Sequence, residues 1–353
     1  MKVCYIYDDL QKYTKNYLTI KGLEKNGVEV IKIGTRFHNI ALRNIEKFFK
    51  FLFTKRDYDV ILIGMLGHFI VPLIAKLTKK PIVFDPFISL YSTVVEDRHY
   101  FSKKSPLGKF SLYLDRRSVL LSKKIILDTN EHIRYWTEDL KLPREKFKRV
   151  FIGADDEIFF PREEAKKKDN EFIVKFYGEV IPAQGVEIII KAAHLLKEHK
   201  EIKFFLISGG GHSYKECQKL AKDLNITNLT FLKRVPLNQL PAFIEGADIM
   251  LGMFGNTKKF NTSIAHKVYQ ALAMRKPVIT AESDGCKDLL VTRENVLLTK
   301  QVNPQSLCDA ILELKHNKKL RDTMAKNGYE TYKNYGTPKI IGREIKQILS
   351  SCI

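Results

Sequence analysis

Residues 247–280 read ADIMLGMFGNTKKFNTSIAHKVYQALAMRKPVIT. An apolar run of strand length, 248–252, enters a polar loop that contains glycine. A helix follows, with Lys267 and Gln270 three apart and therefore on one face. A second short apolar run, 277–280, closes a β-loop-α-β unit. The loop and the helix start would face a bound anion, because backbone N–H groups and the helix dipole favour negative charge there.

Outward from this unit the same alternation continues in both directions. Upstream come VCYIY, VEVIKIG, DVILIG, PIVFD, KIILDT and KRVFIG; around the unit stand FIVKFYG, KFFLISGG, LTFL and NVLLT. Strands alternating with helical stretches of roughly 10–15 residues predict βαβ units and parallel sheets. The 353 residues suffice for two domains, each with its own core. The segment 153–170, GADDEIFFPREEAKKKDN, mixes Gly, acids, Pro and a Lys run, the composition of an exposed linker. The expected organisation is a first Rossmann-like domain over 1–152, a linker over 153–170 and a second Rossmann-like domain over 171–335. A C-terminal helix, 336–353, is expected to pack back on the first domain. Ligands of such doubly wound sheets bind beyond the carboxyl ends of the strands.

The composition, 44% hydrophobic and 28% charged, excludes global disorder. The net charge is +20. Residues 1–149 carry 29 Lys/Arg against 16 Asp/Glu, an excess of 13. Such a balance suits nucleic acid, phospholipid or a phosphorylated substrate, or only a solubilising surface. The five cysteines lack a CxxC or metal spacing and fit a reducing compartment. The opening KVCYIY reads as a strand rather than a signal peptide. The longest apolar run, 60–75, is broken by His68 and Pro72 and falls short of a span. A cytoplasmic protein without a membrane span is expected. The helix over 40–53 carries Leu42, Ile45, Phe49 and Leu52 on one face, with Arg43, Lys47, Lys50, Lys55 and Arg56 flanking it. This pattern suits an anionic membrane surface at the inner face of the cell membrane; a helix packed on the sheet with snorkelling lysines is the plainer alternative.

The stretch 247–280, together with FYGEVIPAQGVEIIIKAAHLL (176–196), LISGGGH (206–212) and FLKRVPLNQLPAFIEGADIML (231–251), resembles the GT-B glycosyltransferases. It is most similar to the retaining family 4, in a branch with FxGxxIPxQG and GxFGxTxK patterns. The resemblance covers most of the chain and is strongest over 150–300. It implies a GT-B fold, two Rossmann-like domains facing a cleft, and donor binding by the second domain. In the family's GRLxxxKG segment, Arg and Lys grip the donor diphosphate. Here those positions hold Glu179 and Gln184, while Gly178 remains. Gly209 and Gly210 match the family's G-x-G turn. Arg234 and Val235 fall where the family's backbone meets the nucleobase. Phe254, Gly255 and Thr257 match the branch's loop. The family's two Glu positions fall on Thr262 and Gln270, and Ile264, Ala265, His266 and Lys267 lie between them. Lys267 is the one cation retained near the diphosphate.

In the first domain, PIVFDPFISLYSTVVEDR (81–98) resembles the segment after the family's fourth strand, where many members have His at the position of Asp85. The resemblance makes Asp85 a catalytic candidate, with Lys267, and puts Asp97 and Arg98 on the acceptor side. His68 reads as a core or helix-start histidine. The implied function is a retaining hexosyltransferase, using a nucleotide-diphosphate sugar and a glycan or polyprenyl-linked acceptor in cell-surface glycan synthesis. No metal, no resident cofactor and no nucleic-acid partner are expected. The replaced cations and acids leave open a donor-impaired binding or partner subunit.

Overall fold

The computed structural model describes residues 1–8, 14–35, 37–162 and 170–353. The chain forms two compact units, one of Met1–Ile152 with Thr337–Ile353 and one of Gly153–Gly336.

The first unit holds six parallel strands: β1 (Lys2–Asp8), β2 (Glu29–Thr35), β3 (Val60–Ile63), β4 (Ile82–Phe84), β5 (Lys124–Leu127) and β6 (Phe147–Arg149). Their order is β2-β1-β3-β4-β5-β6. The inner strands β1, β3, β4 and β5 are near-continuous apolar runs because both faces are covered by helices, whereas the edge strands β2 and β6 are only partly buried. On one face Val3, Tyr5, Leu62 and Val83 pack with Ile20 and Leu23 of the Thr14–Lys25 helix and with Ile341 and Ile345 of the Pro338–Ser350 helix. Gly22 permits that pairing: a Cβ there would fall 2.3 Å from the Pro338 carbonyl oxygen. On the other face Cys4, Ile61 and Phe84 pack with Phe51, Ile70, Val119 and Trp136.

The second unit holds β7 (Phe172–Tyr177), β8 (Ile202–Ile207), β9 (Leu229–Leu232), β10 (Ile249–Leu251), β11 (Val278–Ala281) and β12 (Leu297–Thr299). The order β12-β11-β10-β7-β8-β9 is parallel throughout. Counted within the unit, the order from β9 is 3-2-1-4-5-6, the doubly wound dinucleotide-fold order, with its switch point between β7 and β10.

The segment read as a linker is partly built into this unit. Ala154, Asp155 and Phe159 are buried, and the Ala154 carbonyl accepts from the Tyr332 hydroxyl at 3.0 Å. The apolar IFF run within it gives the segment something to bury, which a count of Gly, Pro and charges overlooks. Its Lys run lies outside the described residues.

Candidate functional site

The carboxyl ends of β7 and β10 part at the switch point, and the loops that leave them meet there. After β7, Gly178 takes φ +151°. The chain then makes a short turn over Pro182–Gln184, and Gly185, at φ +62°, starts the Val186–Leu195 helix. After β10 comes the loop with Phe254 and Gly255. The two loops touch backbone to backbone. The Phe254 N–H donates to the Gln184 carbonyl at 3.1 Å. A Cβ on Gly185 would stand 2.4 Å from the Phe254 carbonyl carbon, and one on Gly255 2.2 Å from the Pro182 carbonyl oxygen. Only glycine allows this approach, and at Gly185 only glycine takes the left-handed backbone without strain.

The loop after β8 joins them. The Val180 N–H donates to the Gly210 carbonyl at 3.0 Å, and a Cβ on Gly211 would collide with Val180. Gly210 takes φ +120° and faces open space. Arg234, in the loop after β9, is exposed and lies along Gly209, its Cδ 2.8 Å from where a Cβ would be. Val235 beside it is half-buried, and Glu179 is exposed.

Lys267 lies at the centre of this convergence. It is 7% exposed, in the first turn of the His266–Ala273 helix. Its Nζ donates to the Gln184 side-chain oxygen at 2.5 Å and lies 3.6 Å from the Phe176 ring centroid. A Cβ on Gly178 would stand 2.9 Å from that Nζ. Among the described residues no carboxylate pairs with it, and burial pushes its pKa well below the usual lysine value. Gln270, one turn on, is buried, and its side-chain oxygen accepts from the Tyr177 hydroxyl at 2.6 Å. Its amide NH₂ therefore remains as the donor.

The helix starts around Lys267 lack side-chain caps. Gly185 and Ala265 occupy the N-cap positions of the two helices, and neither supplies a cap hydrogen bond. Elsewhere Asn39, Ser105, Asn303 and Thr337 cap their helices with side-chain oxygens. Uncapped N–H groups and a cation are groups that favour an anion.

Other sequence candidates here have local duties. Thr257 caps the Lys258–Thr262 helix through the Phe260 N–H, and the Thr262 hydroxyl donates to the Lys258 carbonyl at 3.0 Å. Ile264 is buried. Burial pushes the His266 pKa down to about 4, against a hydrogen bond with the Gly153 backbone.

In the first unit, Asp85 follows β4 and is buried, with Lys15 Nζ at 2.6 Å. Burial pushes its carboxyl pKa up, and Lys15 pulls it down. Beyond β5, Asp128 holds His132 Nδ1 at 2.7 Å, and both groups act electrostatically on Asp85. Asp97 ends the Ser92–Asp97 turn of helix, and Arg98 is exposed with its guanidinium 5.8 Å from the Tyr100 ring centroid. His68 is fully buried, edge-on to Phe84.

Sequence reasoning missed Tyr177, Lys15 and the Asp128–His132 pair. The i,i+4 spacing of the last was a usable signal. Lys15 lies far from Asp85 in the chain and carried none. Asp57 and Asp59 have the spacing of a metal-binding Asp pair, but Lys2 engages both, through Nζ at 2.7 Å and its backbone N–H at 2.8 Å. Among the described residues no group of three or more His, Cys, Asp or Glu is placed to hold a metal ion.

Two parallel six-stranded sheets with helices on their faces, the second with a cluster of glycine-bearing loops at its switch point, define an α/β protein of the GT-B fold. Sucrose-phosphate synthase of Thermosynechococcus elongatus superposes with a TM-score of 0.81 at 14% identity, covering 99% of this chain and 98% of that one. Anabaena HepE in complex with UDP-glucose gives 0.74 at 17% identity, covering 99% and 100%. Residues 157–331 match the family described as glycosyl transferases group 1, and the chain belongs to that family. An uncharacterized glycosyltransferase of Methanocaldococcus jannaschii is 27% identical over 193 residues, 54% of this chain and 50% of that protein. The chain thus spans about half the length of that relative. Alpha-D-kanosaminyltransferase of Streptomyces kanamyceticus is 20% identical over 279 residues, 76% of this chain and 67% of that protein.

Proposed function

We propose that the chain is a glycosyltransferase that moves a hexose, with retention, from a nucleotide-diphosphate sugar to a glycan or lipid-linked acceptor in cell-surface glycan synthesis. The observation that carries the donor half is Lys267: a buried cation with no carboxylate partner among the described residues, beside Gly178, between two uncapped helix starts. Burying such a charge is costly unless something pairs with it, and a diphosphate would supply the pairing.

In this reading the diphosphate lies against Gly178, the Gly210 turn and the N–H groups that open the two helices. As the bond from the sugar carbon to the leaving phosphate oxygen breaks, its electron pair stays on that oxygen. Lys267 and the N–H donors stabilise the growing charge. Charge neutralisation is assigned to these groups rather than to a resident metal or cofactor. Arg234 and Val235 would border the base, and the Gln270 amide would donate to a ribose oxygen. On the acceptor side Asp85, with Asp97 and Arg98 nearby in sequence, would orient the acceptor hydroxyl or take its proton. All five cysteines are free, which suits a cytoplasmic setting.

The testing experiment is calorimetric titration of the full chain with UDP, GDP and their sugar conjugates, beside a Lys267→Ala variant. UDP-glucose, the ligand of the HepE complex, is the first probe. Saturable binding of one base, weakened by the substitution, supports the donor assignment. Absence of binding across the panel overturns it and favours a partner subunit.

A further inference from the structure

Tyr177 and Gln270 form a buried pair at the switch point. Tyr177 ends β7, and Gln270 sits one turn beyond Lys267 on the His266–Ala273 helix. Both side chains are buried. Burial raises the Tyr177 pKa well above the usual phenol value, so the hydroxyl keeps its proton. A buried O–H needs an acceptor, and among the described residues that acceptor is the Gln270 side-chain oxygen at 2.6 Å. The amide is thereby oriented, its oxygen toward Tyr177 and its NH₂ away. The Tyr177 ring is held in turn by Phe243, which meets it edge-on with 6.4 Å between centroids.

The other glutamine of the site is committed in the same way, since the Gln184 side-chain oxygen accepts from Lys267 Nζ. Both glutamine oxygens beside Lys267 are therefore spent inside the protein. What Gln270 offers a ligand is hydrogens alone. A phosphate, which only accepts, loses nothing by this. A ribose diol does lose: each hydroxyl carries a proton to give, and Gln270 has no free oxygen to take it.

We propose that Tyr177 sets the nucleoside class of the donor: by holding the Gln270 oxygen it lets the site take 2′-deoxyribonucleoside diphosphate sugars about as well as their ribose counterparts. This rests on the donor reading above, in which Gln270 meets the ribose. A site rejects a ligand lacking one hydroxyl when the group built to bind that hydroxyl is left buried and unpaired. Here the loss of the 2′-hydroxyl leaves no acceptor unpaired, and the amide NH₂ can give its hydrogen to the remaining 3′-oxygen. Tyr177 acts through Gln270 and is a positioning residue.

The test is calorimetric titration of the full chain with two matched pairs, UDP with 2′-deoxy-UDP and GDP with 2′-deoxy-GDP, which differ only in that hydroxyl. For the base that binds, the wild-type ratio of Kd values, deoxy over ribo, should stay under about tenfold. Tyr177→Phe frees the Gln270 oxygen to accept from the 2′-hydroxyl and should raise the ratio by about a further tenfold. Gln270→Glu brings a second carboxylate oxygen that Tyr177 does not occupy, and should raise it at least as much. A merely structural defect weakens both members of a pair and leaves the ratio where it was; circular dichroism checks that each variant folds. A larger wild-type ratio, or a ratio left unmoved in a folded variant, overturns this inference while the donor reading stands. Absence of binding by all four nucleotides overturns the donor reading and this inference with it.

Discussion

Lys267 Nζ and the Gln184 side-chain oxygen meet at 2.5 Å, joining the helix after β10 to the loop after β7 with no neutralising carboxylate among the described residues. The amide oxygen satisfies one of three ammonium donors. It does not supply the negative charge that would offset burial.

Lys267→Met should therefore separate stability from binding. Removing a buried, uncompensated cation for an apolar side chain of similar length is expected to stabilise the protein by about 1 kcal/mol. Loss of the charge-assisted contact should weaken nucleotide-diphosphate binding by about 100-fold. Thermal unfolding and calorimetry on one preparation check both; a destabilised variant with intact affinity would contradict the assignment.

Donor affinity should fall with rising pH. Burial lowers the Lys267 pKa in the free protein, whereas a bound diphosphate favours the ammonium. The complex then holds a proton that the free protein releases as pH rises through the lowered value. Below that value affinity is flat, and above it affinity falls by up to about tenfold per pH unit. Titration in buffers of different ionisation enthalpy should register proton uptake over the same window.

Gly185→Ala should damage the second unit and the site together. Its Cβ would meet the Phe254 carbonyl carbon at 2.4 Å with φ at +62°, so the two loops must separate. A loss of roughly 2–4 kcal/mol in denaturant unfolding is expected. Gly27 also has a positive φ, +71°, but nothing within 4 Å, and Gly27→Ala should cost only about 1 kcal/mol.

Asp8→Ala should be severe in the first unit. It takes the shared carboxylate from Arg43 and Lys47, and burial already pushes the Lys47 pKa down while Asp8 raises it. A loss of about 3–5 kcal/mol is expected from leaving the buried Lys47 ammonium without its carboxylate, while Arg43 keeps the Phe37 and His38 carbonyls. Lys50, exposed and paired with Glu46 on the surface, is the control, and Lys50→Ala should change stability by less than about 0.5 kcal/mol.

Strand runs such as VILI and FFLI, spaced by helical stretches, specify their own structure through apolar pattern and length, so both parallel sheets were legible. The unit 247–280 likewise announced its loop and helix, because Gly and the periodicity act locally. What the sequence concealed were pairings over long separations: Lys15 with Asp85, Tyr177 with Gln270, Asp8 with Arg43 and Lys47. Thr257 and Thr262, chosen as ligand candidates, also hydrogen-bond within the Lys258–Thr262 helix, which their spacing did not reveal.

The sequence by itself determined the two α/β domains and the position of the glycine-bearing loops, since strand and helix periods and glycine turns are properties of neighbouring residues. Only the tertiary structure decided which way the Ile40–Phe53 helix faces. Its amphipathic pattern has a side but no direction. The buried carboxylate of Asp8, at the end of β1, turned Arg43 and Lys47 inward, where the pattern alone had them flanking an apolar face, and left Phe49 and Phe53 exposed.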